Sequence, residues 1–381
     1  MATYYVRTDG SDTNAGTGSG TGAAWKTIGK ALGSAGIASG DTVWIAPGRY
    51  REQVTVNMTN PTAETFVKGD PTASQFSGVT AGPIILTAYT TNDETNPSNP
   101  ALITNTRDYL SFSDINFVGY QVGNGDACLR YNYSQYHKYI RCSFESYGQC
   151  IRIDNNFGEP LELTFDRCLF RTGEYTIRVY LAASSTGSSY NTNLTVQSCV
   201  FINTSAQCYY QSRTTGTVQP VGTGLVFYNN LFVSPNGLYI DYGTQTTNPG
   251  KAINNIFCCP STAIQAQATG QFTENYNRFV LTPTPRSNVA TGANSKSGAP
   301  GTDYGWNWNQ QIKTTIPFFP VDNGVLDGAG TTDSGAAPTT DFYGQTFANP
   351  PSIGPVEVGT VTTGGGGGLL VHPGTNGRIN G

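Results

Sequence analysis

Six segments of the sequence share one frame, and each of them ends in phenylalanine. The terminal phenylalanines follow one another at intervals of 25 to 31 residues, with leucine usually seven positions before each of them. A repeat of this length indicates one structural unit stacked several times, because a single unit cannot bury its apolar face alone. The segments are LSFSDINF (110–117), HKYIRCSF (137–144), LTFDRCLF (163–170), LTVQSCVF (194–201), LVFYNNLF (225–232) and GKAINNIF (250–257).

Apolar residues alternate along each segment, skip two positions and then resume. In 163–170 the interruption falls on Asp166 and Arg167. Because successive side chains of a strand point to opposite faces, such an interruption predicts a bend between two strands. A third short strand begins six to seven residues after most of the phenylalanines, as in TIRV at 176–179. The sequence therefore predicts a β-solenoid with three short strands per coil, each paired in parallel with its copy in the next coil.

The composition agrees with an all-β chain that has many turns. The 381 residues include 46 glycines and only 2 methionines. With 25 acidic and 21 basic residues the net charge is −4, so binding of nucleic acid through a basic surface is not expected. Apolar residues come in short runs, and no transmembrane helix is expected.

The first fifty residues resemble the opening of a known class of solenoids. YYVRTDGSDTNAGTGSGTGAAWKTIGKALGSAGIASGDTVWIAPGRYRE looks like the start of right-handed parallel β-helix proteins of the pectin-lyase-like class, and GVLDGAG (324–330) and 341–359 resemble closing strands of bacterial members. The resemblance implies a right-handed parallel β-helix with a short N-terminal capping helix. That helix is expected at 24–32, where apolar residues share one helical face before Gly33. The same fold carries lyases, hydrolases, adhesins and phage spikes, so the resemblance says little about function.

The chain divides into four regions on this interpretation. The first (1–58) holds the N-terminal strand, loop, capping helix and first coil, and the second (59–280) holds the β-helix coils. Closing strands and loops are expected at 281–359, and a glycine-rich tail at 360–381.

The tail offers one apolar patch after its glycines. Leu369, Leu370 and Val371 are predicted either to dock on a neighbouring subunit, by adding a strand to an exposed edge, or to stay in a disordered tail. Self-association or a virion partner is therefore an expectation for this chain.

Two ladders of outward side chains are predicted on the third strand of the coils. In the β-helices that this sequence resembles, the outer face of this strand carries the substrate. The first ladder is Arg130, Arg152, Arg178, Tyr209, Tyr239 and Gln265, and the second, two residues on, is Asn132, Asp154, Tyr180, Gln211, Asp241 and Gln267. Two loops, 181–193 and 212–223, are expected to overhang this surface and to form a shallow groove.

Three interpretations of these ladders remain open. Stacked guanidinium groups lie about 4.8 Å apart and repel one another, which solvent, nearby carboxylates or a bound polyanion relieve. Tyrosine rings offer flat faces to sugars or to another protein. The surface is therefore an ordinary solvated face, a binding site for an acidic or neutral polysaccharide, or a contact between subunits.

Catalytic groups are sparse on the predicted surface. Glycoside hydrolysis needs two carboxylates about 5–9.5 Å apart, and Asp154 and Asp241 lie three coils apart. A lyase needs a base, for which Arg152 and Arg178 are the candidates, but no acids are grouped there to hold calcium. His137 shares its position in the frame with leucines, which indicates a buried or edge histidine.

Metal binding is expected at most in one loop. Asp9, Asp12 and Asn14 of DGSDTNAG could hold Ca²⁺, although such residues usually satisfy turn backbone. Eight cysteines without a Cys-x-x-Cys pair and only two histidines argue against structural zinc. No other cofactor is expected.

The cysteines fall into columns of the repeat. Those at 142, 168 and 199 occupy one inward position, which Asn230 and Asn255 continue as a predicted hydrogen-bonded ladder. Cys128 and Cys150 are predicted to lie near disulfide distance, either bonded or reduced.

The sequence leaves two functions open. No basic segment followed by an apolar stretch is visible at the N-terminus, so an extracellular or virion protein is expected either to have lost its signal or to leave the cell by another route. The preferred hypothesis is a non-enzymatic structural or adhesive protein of a virion or extracellular assembly that contacts glycans or neighbouring subunits through the two ladders. The alternative is a polysaccharide lyase or related enzyme that acts on an acidic glycan.

Overall fold

A computed structural model shows three parallel β-sheets that the chain visits in turn. It describes residues 1–298, except 88–100, 106, 120–126, 133–135, 147, 156–160, 173, 182–191, 204–205, 214–223 and 242–248, and residues 326–357, except 327 and 333–337. Neighbouring strands of each sheet come from successive coils, so each coil adds one strand to each sheet. The chain is thus a right-handed parallel β-helix, and the predicted fold class is confirmed.

Twenty-nine strands form the sheets within the described residues, and all neighbours pair in parallel. Sheet A contains β1 (Thr3–Val6), β2 (Thr42–Ile45), β5 (Thr65–Gly69), β8 (Leu110–Ser113), β11 (His137–Ile140), β14 (Leu161–Asp166), β17 (Thr192–Gln197), β20 (Leu225–Tyr228), β23 (Gly250–Ile253) and β26 (Phe272–Asn275). Sheet B contains β3 (Gly48–Arg51), β6 (Ile84–Thr87), β9 (Asn116–Val118), β12 (Ser143–Ser146), β15 (Leu169–Thr172), β18 (Val200–Asn203), β21 (Leu231–Val233), β24 (Ile256–Cys258), β27 (Arg278–Val280) and β29 (Lys296–Gly298). Sheet C contains β4 (Val54–Val56), β7 (Ala101–Asn105), β10 (Ala127–Asn132), β13 (Gln149–Asn155), β16 (Ile177–Leu181), β19 (Gln207–Arg213), β22 (Asn236–Ile240), β25 (Thr262–Ala266) and β28 (Thr284–Ser287).

The repeated phenylalanines stack inside the tube, as the repeat predicts. Their rings lie 4.6 to 5.4 Å apart between centroids and are nearly parallel, and Phe279 adds one further level. A second stack on sheet A, which includes Tyr139 and Phe165, meets the first edge to face. Such aromatic contacts stabilise a core beyond the effect of apolar burial.

The predicted corner between sheets A and B is a column of residues in the left-handed conformation. One residue per coil has φ between 51° and 59°, and this bend restores the inward direction of the side chains that follow. The column consists of Asp114, Arg141, Arg167, Ser198, Asn229, Asn254 and Tyr276.

The inward position after this corner is cysteine in the earlier coils and asparagine in the later ones, where the asparagines form a hydrogen-bonded ladder. The backbone N–H of Cys199 donates to Oδ1 of Asn230 at 2.9 Å, and the N–H of Asn230 donates to Oδ1 of Asn255 at 2.9 Å. Asn277, which the sequence frame did not reach, continues the ladder by one level. The column of Cys142, Cys168 and Cys199 and the pair Cys128 and Cys150 are buried, as predicted. All eight cysteines, including this pair, are present as thiols.

The helix near the N-terminus is one turn long. It spans α1 (Ile28–Ala31), with Thr27 as its N-cap, and is shorter than the predicted 24–32 because the carboxylate of Glu52 already takes the N–H groups of Ile28 and Gly29. Trp25 lies outside it in a bridge to Val6. That helix α1 caps the end of the β-helix stays a prediction. No helix in the described part of the chain has both the length and the apolar character needed to cross a bilayer.

The outer side of sheet B is covered by described residues of the segment 326–357. Leucine, valine and isoleucine side chains of β15, β18, β21 and β24 form a second apolar cluster with Leu326, Phe342, Ile353 and Val356. Apart from one isolated bridge, the described residues of 326–357 form no strand, so the closing strands implied by the resemblance are absent from this segment. The sheets themselves continue across the predicted boundaries after residues 58 and 280, and the four-region division stays a prediction.

Candidate functional site

Sheet C presents one outward side chain of interest on each of six consecutive strands. The strand register aligns Arg130, Arg152, Arg178, Tyr210, Tyr239 and Gln265. We call these six residues the Arg/Tyr column. The predicted column is therefore present, with one correction.

The correction concerns β19, where Tyr210 and not Tyr209 belongs to the column. Tyr209 pairs with Ile177 and Leu238 and is fully buried, and its hydroxyl donates to Oε1 of Gln211 at 2.6 Å. Gln211 was predicted to be the outward residue of the second ladder on this strand, but it is fully buried inside the tube, where its Oε1 accepts this hydrogen bond. Ser212 takes its place in the second ladder, beside Tyr180.

The first half of the column is cationic and lies beside one buried carboxylate, that of Asp154. Asp154 accepts hydrogen bonds from Nε of Arg130 at 3.0 Å and from Nε of Arg152 at 2.9 Å. Its side chain is 8% exposed, whereas Arg130 is 35% and Arg152 19% exposed. One carboxylate thus holds two guanidinium groups one coil apart, which relieves their repulsion.

Arg178 lies at the centre of a group of tyrosines. Its Cζ is 4.6 Å from the ring centroid of Tyr175 and 5.8 Å from that of Tyr210. Burial lowers the pKa of Arg178, while the nearby Tyr175 and Glu174 act in the opposite direction. Tyr175, which precedes β16, was missed in the sequence because it lies at a corner outside the alternating pattern of the strand.

The second half of the column is aromatic and amide-bearing. The rings of Tyr210 and Tyr239 stack at 5.0 Å with an interplanar angle of 17°, and both side chains are half-buried. The hydroxyl of Tyr239 donates to Oε1 of Gln267 at 3.4 Å. Burial raises the pKa of Tyr239, and the negative charge of Asp241 adds to this. The side chain of Tyr180 lies outside the described residues.

The described residues of the column bring few catalytic groups together. Asp154 and Asp241 are three coils apart, about 14 Å along the axis, which exceeds the separation that a glycosidase uses. Arg152 is held by Asp154. Within the described residues, no three of the His, Cys, Asp and Glu side chains are grouped as a metal site.

His137 is a core residue of sheet A. It pairs with Leu163 and is almost completely buried, as its position in the frame predicts. Burial lowers its pKa to about 4, so it is neutral near pH 7. It takes no part in the column on sheet C.

The residues of the N-terminal loop make local hydrogen bonds. Asp9 pairs with Arg7 at 2.5 Å, and the arginine lowers the pKa of this carboxyl. Asp12 accepts from the backbone N–H groups of Lys26 and Thr27, and Asn14 donates to carbonyls of the same loop. Calcium binding here stays an untested prediction.

Some predicted features lie outside the described residues. These are most of the two overhanging loops (182–191 and 214–223) and the tail with Leu369, Leu370 and Val371.

Comparisons with known proteins find similarity in structure only. No protein-family model and no curated protein sequence matches the chain. Among solved structures, a rhamnogalacturonan lyase matches with a TM-score of 0.47 and 13% identity over 88% of this chain and 97% of its own. A pectate lyase matches with a TM-score of 0.46 and 14% identity over 94% of this chain and 96% of its own. The pectin methylesterase from Aspergillus niger matches with a TM-score of 0.43 and 14% identity over 84% of this chain and 92% of its own.

These similarities concern the fold alone. At such identities they carry no information on whether this chain binds a glycan or is an enzyme. The resemblance to the pectin-lyase-like class that the sequence suggests therefore holds for the architecture of three parallel sheets.

Proposed function

We propose that the protein is a non-enzymatic β-helix that binds an anionic glycan along the Arg/Tyr column. The supporting observation is the cationic half of the column. Arg130, Arg152 and Arg178 stand on consecutive strands, and Asp154 is the carboxylate between the first two. Arginine binds carboxylate or sulfate in a bidentate manner, and neighbouring tyrosines suit sugar rings.

Binding is tested with soluble pectate, alginate and glycosaminoglycans by titration calorimetry. We expect saturable binding to at least one of them, weakened by salt because charged groups dominate the contact. Arg178→Gln is expected to reduce the affinity about tenfold, ~1.4 kcal/mol. Lys251→Gln is the matched control, since Lys251 is exposed on sheet A. Absence of binding to all three polymers would refute the proposal.

The alternative function is a polysaccharide lyase acting on an acidic glycan in the same place. The one observation in its favour is the lowered pKa of Arg178, a shift in the direction that a general base needs. Elimination produces an unsaturated sugar with strong ultraviolet absorbance. Incubation with the same polymers, with and without calcium, is expected to leave the absorbance unchanged, and a rise that Arg178→Gln abolishes would establish the lyase instead.

A role in a virion or extracellular assembly is part of the same proposal. The residues that would mediate assembly, Leu369 to Val371, follow a glycine-rich linker. Mass measurement in solution of the full chain and of a chain that ends at residue 359 tests it. A monomer in both cases would count against assembly without affecting the proposed glycan binding.

A further inference from the structure

We propose a second carbohydrate site on the outer face of sheet A, where an acidic sugar residue packs on Trp44 and Phe66 and its acid group pairs with Lys68. This site lies on a different sheet from the Arg/Tyr column, so the inference goes beyond the proposed function and does not depend on it. We call Tyr5, Trp44, Phe66 and Lys68 the Trp44 surface.

Strand alternation turns the residues of the Trp44 surface outward. On β2 and β5 every second residue is buried, and Trp44, Phe66 and Lys68 lie between the buried positions as half-buried side chains. The register sets Trp44 beside Tyr5 of β1 on one side and beside Lys68 of β5 on the other. Three aromatic rings and one ammonium group therefore lie together on one face of the sheet.

The outer face of sheet A changes character after β5. On β8, β11, β14 and β17 none of the described outward residues is aromatic, and the row that begins with Phe66 continues through Ser111, Lys138, Thr164 and Thr195. Small and hydrophilic residues suit a sheet face that meets water. Half-exposed tryptophan and phenylalanine forgo part of the free energy of burial, and their grouping at one end indicates contact with a ligand.

Two of the rings hold the ammonium group of Lys68 in place. Its Nζ lies 4.6 Å from the ring centroid of Phe66 and 5.5 Å from that of Trp44, which is the range of cation–π interactions. No carboxylate in the described part of the chain pairs with this lysine. Asp70, the acid two residues further on, is buried and directs both oxygens to the loop 72–75. The positioned ammonium group can therefore pair with an anion from outside.

The size and chemistry of the Trp44 surface suit a sugar better than a protein partner. Its three strands span about 10 Å, and its four half-buried side chains expose a fraction of the roughly 800 Å² that each partner of a stable protein interface buries. The apolar face of a sugar ring packs on an aromatic side chain, and an acid group next to it pairs with a lysine. An acidic sugar uses both features, whereas a neutral sugar or a simple anion uses one of them.

Three probes titrated into the full chain test this ligand class, with tryptophan fluorescence as the signal. Trigalacturonate carries sugar and acid, cellotriose carries sugar alone, and inorganic sulfate carries acid alone. We expect a saturable fluorescence change with trigalacturonate, at an affinity at least about tenfold higher than for the other two probes. Equal binding of cellotriose would exclude a role for the acid group, and equal binding of sulfate would exclude a role for the sugar. Either result, or no response to trigalacturonate, would overturn the inference.

Variants locate the response on the Trp44 surface. Trp44→Phe is expected to abolish the fluorescence change, because the other described tryptophan, Trp25, is 3% exposed. Lys68→Gln is expected to weaken trigalacturonate binding about tenfold, and Lys68→Arg, which keeps the charge, to retain it. Lys251→Gln is the matched control, since Lys251 is an exposed lysine on the same sheet. A response that survives both Trp44→Phe and Lys68→Gln would refute the inference. A dimer that Trp44→Ala dissociates, without any response to the sugar, would identify a protein contact instead.

Arg178→Gln separates this inference from the proposed function. It is expected to weaken polymer binding at the Arg/Tyr column and to leave the fluorescence response of Trp44 unchanged. If Arg178→Gln abolishes the fluorescence response and Lys68→Gln does not, the ligand lies on sheet C, so the inference fails and the proposed function stands. If the response of Trp44 is present but Arg178→Gln binds the polymers as tightly as the original protein, the proposed function fails and the inference stands.

Discussion

Nε of Arg286 donates to Oε1 of Glu274 at 2.5 Å inside the last coils of the β-helix. The carboxylate of Glu274 is fully buried and also accepts from the N–H of Gly292 at 2.7 Å and from the amide of Asn277 at 2.8 Å. It takes a position in the core of sheet A that an apolar residue occupies in earlier coils, such as Ala252. A polar network thus closes the C-terminal end of the described core.

Glu274→Ala is predicted to destabilise the protein strongly. It removes a fully buried carboxylate and leaves the half-buried Arg286 guanidinium without its partner; breaking a buried pair typically costs about 3–5 kcal/mol. Urea unfolding followed by circular dichroism measures the change. Glu64→Ala is the control, since Glu64 pairs with Lys138 on the surface and such pairs contribute roughly 0–1 kcal/mol. Equal shifts of the two unfolding midpoints would contradict the structural role of Glu274.

The asparagine ladder gives a second prediction. Asn230→Ala removes the acceptor of the Cys199 N–H and the donor to the carbonyl of Val196, both buried, and is expected to cost about 2–4 kcal/mol. Asn230→Cys is expected to cost less, because in the preceding coil the sulfur of Cys199 accepts the N–H of Cys168 at 3.2 Å. The midpoint of urea unfolding ranks the three proteins. A cysteine variant as unstable as the alanine variant would argue against sulfur as a substitute acceptor.

The fold was predictable from the sequence because the repeat encodes it directly. Phenylalanines such as Phe144 and Phe170 recur at each level. The interruption at Arg167 predicts a corner, which the structure confirms and shows to be in the left-handed conformation. The repeat length predicts the coils, and the alternation of apolar residues predicts the strands and the direction of most of their side chains.

The details of the site were less predictable. Tyr209 and Tyr210 are adjacent and chemically identical, so alternation alone does not say which of them faces inward. The strand register decides this, because it places Tyr210 beside Arg178 and Tyr239 and leaves Tyr209 inside the tube with Gln211. The covering of sheet B by residues 326–357 was also missed, because that segment has no strand periodicity and its contacts are distant in sequence.

The covering segment provides the third prediction. Gly354 has φ of +103°, and a Cβ at this position would lie 2.3 Å from Cδ1 of Ile256 on sheet B. Gly354→Ala is therefore expected to loosen the segment and to accelerate its cleavage in limited proteolysis, with sites mapped by mass spectrometry. Gly78→Ala is the matched control, since Gly78 also has positive φ (+70°) but has no neighbour within 4 Å of the added Cβ. If residues 326–357 are cleaved no faster in Gly354→Ala than in Gly78→Ala or the original protein, the contact with Ile256 does not hold the segment in place.

His137 provides the fourth prediction, a pH dependence of stability. Its pKa falls from 6.5 to about 4 on folding because of burial, so between these values the unfolded chain binds more protons than the folded one. The free energy of unfolding therefore decreases as the pH falls from 6.5 towards 4, by on the order of 3 kcal/mol for this residue. His137→Leu, with the residue found at the paired position Leu163, is expected to remove this contribution. Urea unfolding of both proteins at pH 7 and pH 4.5 measures the difference, in which the carboxylates common to both cancel. If the variant loses as much stability as the original protein on acidification, His137 is not the group responsible.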